Sequence, residues 1–518
     1  MLLLAPALLL LLTAFALAAL RMLRPQFRFG WLTAVAMTSA AWIITCLSQS
    51  QLPLSQSLPF WRAEAPGAAS LQLSAVGLSW PYSLSLVSLV LATLLTAPGR
   101  EGFPNTTRWA VSMGLAGLGL LALAANDPPT LVLVWAALDL AEVGLLLKAL
   151  NGVPLSGRAV SVFSVRVVCI ALVLLEYVLG SRGGRAADFA SVVSGEGWLL
   201  LAAAMLRLAV LPVGLVPPSE SSLRGGVGTT MQLASAAAGL ILLSRIPPGS
   251  VASPVATILL LVCAAGGLYS GWMWLRAPDQ LTGRAFGILC IASMAVAASL
   301  RGNPGGATAW GTALILAGGA LFLSSVQHFW LNRAILIGAW SLSSLPFTIT
   351  ATAWNNYSEA PDVILPVFLV AQTLLLAGFI RHAIRPRQAP DTTPARPVGL
   401  YAAGIGVLLL GQVFLATWGW SGALQPGVWP AGLAVASMSL VLLWLTPRIP
   451  ALTPVPDLWL PAAWSKLVSS VEQEGQRVFD GMQRGAGTVA ELLEGESGII
   501  WSLLLLVLFV SLIVGRKP

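Results

Sequence analysis

Charge is what this chain has least of. Asp, Glu, Lys and Arg make up 9% of its 518 residues, against roughly 25% in an ordinary soluble domain, and that excludes a water-soluble globular protein. Histidine occurs 2 times, as His328 and His382, each near the end of an apolar run, so His-based metal binding or catalysis has no cluster to work with. The 4 cysteines, Cys46, Cys169, Cys263 and Cys290, lie in or beside apolar runs without CxxC spacing. They read as small buried hydrophobes, not as a disulfide framework or thiolate metal site. There is no Gly-rich nucleotide loop and no Ser/His/Asp constellation, so no cofactor is expected. The net charge of +8 is scattered through short connections instead of forming a patch, which argues against nucleic acid.

What is abundant is hydrocarbon. Hydrophobic residues make up 57% and the mean hydropathy is +0.84, so the expected fold class is an all-α, polytopic membrane protein. Runs long enough to cross about 30 Å of hydrocarbon lie near 1–20, 29–48, 80–97, 107–125, 128–149, 160–180, 197–214, 226–246, 252–275, 283–301, 306–327, 333–353, 363–382, 398–418, 427–446 and 499–515. That predicts about sixteen transmembrane helices. The first run lacks a basic leader and is followed directly by RMLRPQFR, so it is a span, not a signal peptide. Many of the 20 tryptophans sit near span ends, as interfacial anchors do.

Basic residues concentrate after odd-numbered spans, with Arg21, Arg24 and Arg28 after the first and Arg381, Arg385, Arg387 and Arg396 around the end of the thirteenth. The alternate connections hold only Arg62, Arg182, Arg185, Arg245 and Arg301. By the positive-inside rule the odd exits are cytoplasmic and both termini face outward. The long connection 49–79 is then external, and a hairpin is expected there.

Charges inside the spans are few and fall together. The fifth span carries Asp139 and Glu142, three residues apart and so on one helical face; the sixth carries Arg166 and the seventh Arg207. An ionisable group at membrane depth is costly unless it is paired or faces a wet cavity, and it marks a functional-site hypothesis. Two acids and two bases can form a neutral buried cluster. Pro212, five residues after Arg207, is expected to break its helix, as Pro346 is expected to break the twelfth. Broken helices in a bilayer are tolerated where freed backbone groups are buried or line a cavity. The same features also describe a kinked packing helix whose Arg pairs structurally. Spans nine to fifteen carry no charge near their centres.

Residues 461–494 differ in kind. Trp464, Leu467, Val468, Val471, Val478, Phe479 and Met482 recur at three- and four-residue intervals among Lys466, Glu472, Glu474, Arg477 and Asp480. This predicts an amphipathic helix about 50 Å long at 1.5 Å per residue, lying laterally along the membrane against a protein neighbour or lipid.

Several strings carry a family resemblance. ANDPPTLVLVWAALDLAEVGLLL, FSVRVV, MLRLAVLPVGLVPP and ILIGAWSLSSLPFTITATAW, with the lateral helix before a last span, resemble the antiporter-like, proton-translocating membrane subunits of respiratory NADH:quinone oxidoreductase (complex I). The resemblance is strongest to the large distal subunit and extends to subunits of cation/proton antiporters and membrane-bound hydrogenases. It implies N-terminal helices and an external hairpin over 1–106, two inverted five-helix repeats over 107–251 and 252–384, further helices over 385–460, the lateral helix over 461–498 and a last helix over 499–518. It also implies other membrane subunits as partners, contacted through the lateral helix, protons or cations as the translocated species, and a location in the inner (cytoplasmic) membrane.

The departures from that family are specific. Where it has Glu after the fifth-helix Trp, this chain has Ala136 after Trp135, with Asp139 one turn on. The family Lys falls on Arg207 and its following His on Gly214; its eighth-helix His falls near Met231 and Gln232. In the second half, family His and Lys positions fall near Leu314 and Gly318, and a Lys-acid pair near Trp354 and Asn355. Arg effectively never releases its proton, whereas a buried Lys can. The expected function is therefore a membrane-arm subunit whose proton translocation is reduced or lost. Two other classes remain in play: an independent transporter binding a small anion at Arg207, and a polytopic transferase, for which connection 49–79 offers only Glu64 as an acid.

Overall fold

The computed structural model describes residues 2–24, 27–58, 71–99, 106–149, 157–182, 188–192, 195–211, 225–324, 329–355, 364–385, 395–419, 429–446, 448 and 477. Among them the chain is a bundle of helices with one small hairpin. Eleven helices are long and apolar enough to span a membrane, and three shorter apolar helices accompany them. The protein is a multi-pass membrane protein. The lateral helix expected over 461–494 and the last span at 499–515 fall outside the described residues.

In chain order the elements are α1 (Ala5–Leu23), α2 (Gly30–Ser48), β1 (Leu54–Leu58), β2 (Leu71–Ala75), α3 (Trp80–Thr96), α4 (Thr106–Ala124), α5 (Pro128–Ala149), α6 (Gly157–Arg182), α7 (Trp198–Arg207), α8 (Gly226–Arg245), α9 (Ser253–Arg276), α10 (Gln280–Leu300), α11 (Pro304–Ala313), α12 (Gly319–Leu323), α13 (Phe329–Ala334), α14 (Leu336–Ser341), α15 (Leu365–Ile384), α16 (Ala395–Phe414) and α17 (Trp429–Leu445). Proline sits in the first turn of α1, α3, α9, α11 and α15, where its missing N–H costs nothing because that donor has no helical partner. Asp279 and Asn303 accept backbone N–H bonds at the starts of α10 and α11. Asp127 does the same for α5 through Thr130 N at 2.7 Å.

The segment between α2 and α3 carries a hairpin. β1 and β2 pair antiparallel, Leu54 opposite Ala75 and Leu58 opposite Leu71. It is pinned to the bundle where Asn126 N donates to Gln72 O (2.9 Å) and Gln72 N donates to Asp127 Oδ2 (2.6 Å). Arg245, closing α8, donates to Asn126 Oδ1 and Leu123 O, so the ends of α4, α5 and α8 are tied at one level.

α3 runs through the middle, packed on α2, α4, α8, α11 and α16. Its hydroxyls turn inward onto its own carbonyls, as Ser85 does on Pro81 O and Thr96 on Ala92 O. Tryptophans of α2 reach it as well, Trp31 donating to Leu94 O and Trp42 to Ser88 Oγ. The outer helices carry exposed apolar side chains, among them Phe15, Leu174, Val178 and Trp444; that is the surface lipid requires.

Helices lose their regular winding at several points. α7 ends at Arg207, ahead of Pro212, which lies outside the described residues: Ala209 takes a positive φ of 58°, and Val210 N and Leu211 N both donate to Met205 O. α14 ends at Ser341, and the chain then unwinds through Pro346 with positive φ at Ser344 and Phe347. Between α11 and α12, Leu314–Gly318 forms a π-turn, a type of irregularity frequent at functional sites.

Candidate buried charge cluster

The four in-span charges meet at one point. Arg207, the last residue of α7, donates both terminal nitrogens to Asp139 of α5: Nη1 to Oδ2 and Nη2 to Oδ1, each at 2.9 Å. This is the bidentate geometry that only a planar guanidinium can make. Arg166 of α6 approaches from the other side, with Nη1 3.2 Å from Asp139 Oδ1 and also donating to Glu142 Oε2, while Nη2 donates to Ser235 Oγ of α8 at 3.0 Å. Asp139, Glu142 and Arg207 are 2%, 3% and 8% exposed, so the cluster is dry enough for pairing to decide its energy. With two of each sign it is formally neutral, which offsets much of the desolvation cost.

Local structure explains the convergence. Asp139 and Glu142 share a face of α5 because they are three residues apart. Trp135 is one turn before Asp139 on the same face; its indole N–H donates to Ala238 O of α8 at 3.0 Å, and its ring lies 4.4 Å from the Arg207 guanidinium carbon. The unwinding after Arg207 frees the chain to turn away while the guanidinium stays at bundle depth. A cavity of about 90 Å³ adjoins the cluster, lined by Glu142, Arg166, Arg207, Gln232 and Ser235 on its polar side and by apolar residues of α5, α6, α8 and α10. That is room for several water molecules.

Trp135, Gln232 and Ser235 were not foreseen as members of the cluster. Their signal was spacing: Trp135 stands four residues before Asp139, and Gln232 and Ser235 are three apart on α8.

The second half has a polar centre without charge. Gln372 of α15, fully buried, donates Nε2 to Leu342 O (2.8 Å) and Ser344 Oγ (2.9 Å) and accepts from Trp354 Nε1 (3.0 Å). Thr350 Oγ1 donates to Ser341 O and accepts from Ser344 N. The backbone groups freed by the break after α14 are thus satisfied by neutral side chains. Arg284, four residues into α10, is 3% exposed and donates to Thr229 Oγ1. His382 of α15 is buried, its Nε2 3.0 Å from Trp274 O, with Arg381 donating to Leu275 O; both bind the end of α9 and take no part in the cluster. Among the described residues no group of His, Cys, Asp and Glu could hold a metal ion.

No sequence-defined family matches the chain, and no curated protein matches it. Solved structures do. A chain of the Mrp complex from a Dietzia species superimposes with a TM-score of 0.66 at 16% identity, over 99% of this chain and 63% of that one. A chain of the membrane-bound sulfane sulfur reductase, an archaeal respiratory membrane complex, gives 0.64 at 13% identity over 97% and 99%. A chain of respiratory complex I from Thermus thermophilus gives 0.59 at 19% identity over 84% and 99%. The fold is that of the antiporter-like membrane subunits. This chain spans under two thirds of the length of the Mrp chain, whereas it matches nearly the full length of the other two.

Proposed function

We propose that this protein is a membrane-arm subunit of a multi-subunit respiratory or cation/proton antiporter assembly in the inner membrane, in which proton translocation is reduced or lost. The observation that carries the reading is the Arg207–Asp139 pair. A conducting path needs a central base that can give up its proton, and an arginine held by two bonds to a carboxylate does not. The positions that the family fills with an ionisable row beyond this pair fall near Leu314, Gly318, Trp354 and Asn355, none of which titrates. In this reading the charges are a structural lock between α5, α6, α7 and α8.

The breaks after α7 and α14, each with positive φ in the unwound turn, support two inverted repeats over 107–251 and 252–384. The lateral segment 461–498 is the element by which the subunit would hold a neighbour. The alternative of an anion carrier at Arg207 is disfavoured because both Nη atoms are engaged by Asp139. The test is isolation in mild detergent from the native membrane. Co-purifying oxidoreductase or antiporter subunits that dissociate when 461–518 is deleted would support the assignment, and a monodisperse chain without partners would overturn it. Purified protein in vesicles loaded with a pH-sensitive dye should show no proton flux above protein-free vesicles.

A further inference from the structure

We infer that the end of the bundle where α9, α15 and α17 finish is a binding site for an anionic phospholipid, its phosphate held by Arg276, Arg381, Arg385 and Arg448 and its acyl chains lying along α17. This goes beyond the reading above and requires only that the chain spans a membrane.

The three helices finish at one level. Arg381 of α15 donates to Leu275 O at the end of α9, and Arg276 is the last residue of that helix. α15 and α17 run the same way: Ser439 Oγ donates to Thr373 O at 3.3 Å, and further on Leu442 and Leu443 pack with Trp272 against Leu275, Leu374 and Ala377. Arg448 therefore comes level with His382, since equal lengths of chain separate each of them from the Ser439–Thr373 bond. Arg385 follows Arg381 by one turn, near enough for their charges to repel. Asp279, the acid whose charge reaches this end, is engaged at the start of α10, where it accepts from Leu281 N, Thr282 N and Thr282 Oγ1. Four guanidiniums thus gather around one carboxylate.

An excess of arginine alone would only mark the cytoplasmic side; the geometry adds a ligand. The Arg276 guanidinium carbon lies 5.6 Å from the centre of the Trp272 ring, and that of Arg448 lies 3.4 Å from the centre of the Trp444 ring. Stacking uses the face of a guanidinium and leaves its N–H edge free in the plane, which is the edge that forks onto phosphate oxygens. Arg276 Nε is buried and has no hydrogen-bond partner among the described residues, a donor whose burial is unfavourable until an acceptor arrives. Beside these charges the outer side of α17 is apolar: Leu440, Val441 and Trp444 are 66%, 56% and 61% exposed. An acyl chain has a strip to lie on, and Trp444 stands at its boundary with the charges, as indoles do at the membrane interface. A free phosphate would meet the arginines and leave the strip uncovered. A phospholipid uses both, and basic pockets between membrane helices at the cytoplasmic face suit anionic headgroups.

The test is native mass spectrometry of the full-length protein in mild detergent, with phosphatidylglycerol or phosphatidylcholine of the same acyl chains. The wild type should retain phosphatidylglycerol at collision energies that strip phosphatidylcholine. Arg276→Gln and Arg448→Gln should each weaken that retention about fivefold, and Arg448→Lys, which keeps the charge and loses the fork, should fall between Gln and wild type. Arg21→Gln with Arg24→Gln, at the end of α1, should leave retention unchanged, and excess glycerol phosphate, a headgroup without chains, should not displace the lipid. Equal retention of the two lipids, no retained lipid in the wild type, an equal loss in the α1 variant or displacement by glycerol phosphate would each overturn the site. None of these readouts depends on proton flux or on a partner subunit, so the site and the function proposed above fail separately.

Discussion

The Arg207 guanidinium lies 4.4 Å from the centre of the Trp135 ring while both its terminal nitrogens are held by Asp139. Ring and carboxylate stand one turn apart on α5, so a single helix face grips the cation from two directions. The charge is therefore fixed in position as well as neutralised.

Removing one member of that grip should be costly. Arg207→Ala or Asp139→Asn should each lower stability by about 3–5 kcal/mol, because either leaves an uncompensated buried charge. Replacing both by apolar residues, Arg207→Met with Asp139→Leu, should recover part of the loss. Thermal unfolding in detergent checks both expectations; equal Tm values for single and double variants would contradict them.

Arg207→Lys keeps the charge and loses the fork. A Lys ammonium cannot make the two parallel bonds and stacks less well on an indole. The variant should be less stable than wild type by about 1–3 kcal/mol, the scale of one lost charged hydrogen bond. In vesicles it should conduct no faster than wild type, because the positions near Met231, Leu314, Gly318 and Trp354 still lack groups that carry a proton; dye-monitored flux of the two proteins checks this.

Gln372→Leu should loosen the break after α14. The change removes acceptor and donor together, leaving Leu342 O, Ser344 Oγ and Trp354 Nε1 to find other partners, at about 1–3 kcal/mol for each group left unsatisfied. Faster hydrogen exchange confined to residues 342–354, with the four-charge cluster unaffected, is the expected outcome.

Gly432→Ala tests how α17 is seated. A Cβ there would lie 2.5 Å from Ser344 O, a backbone atom of the unwound segment, and that neighbour cannot swing away as a side chain could. The variant should lose about 1–3 kcal/mol, as overpacked sites do. Cysteine cross-linking between α15 and α17 should fall with it.

Much of the fold was legible because apolar length is a strong signal in a membrane. The runs near 29–48, 80–97, 107–125 and 226–246 coincide with α2, α3, α4 and α8 to within a residue or so at most ends, and the hairpin sits in the long connection 49–79. The meeting of Asp139 and Arg207 was legible because the few in-span charges fall on neighbouring spans, two of each sign. What could not be read was the backbone: α7 stops at Arg207 itself, held by the bonds of Val210 N and Leu211 N to Met205 O, and no residue type announces a positive φ at Ala209. The π-turn at Leu314–Gly318 is equally silent in sequence, since its Leu, Ile, Ala and Gly residues are common throughout the apolar spans. The Gln372 network escaped notice because a lone amide in an apolar run has no periodic signature, only a geometry.

α3 has a bearing on how the chain is made. Most of its residues from Trp80 to Thr96 are buried by protein, and Tyr82 donates to Ala307 O, 225 positions further along. Its other neighbours include α16, which begins at Ala395. A ribosome therefore finishes α3 long before the partners that enclose it emerge. During that interval the hydroxyls of Ser85, Thr93 and Thr96 are satisfied by its own carbonyls, which lets the helix wait in the bilayer or beside the insertion machinery. Arrested chains ending before α11 should hold α3 in a lipid- or chaperone-accessible state, and only synthesis through α16 should withdraw it.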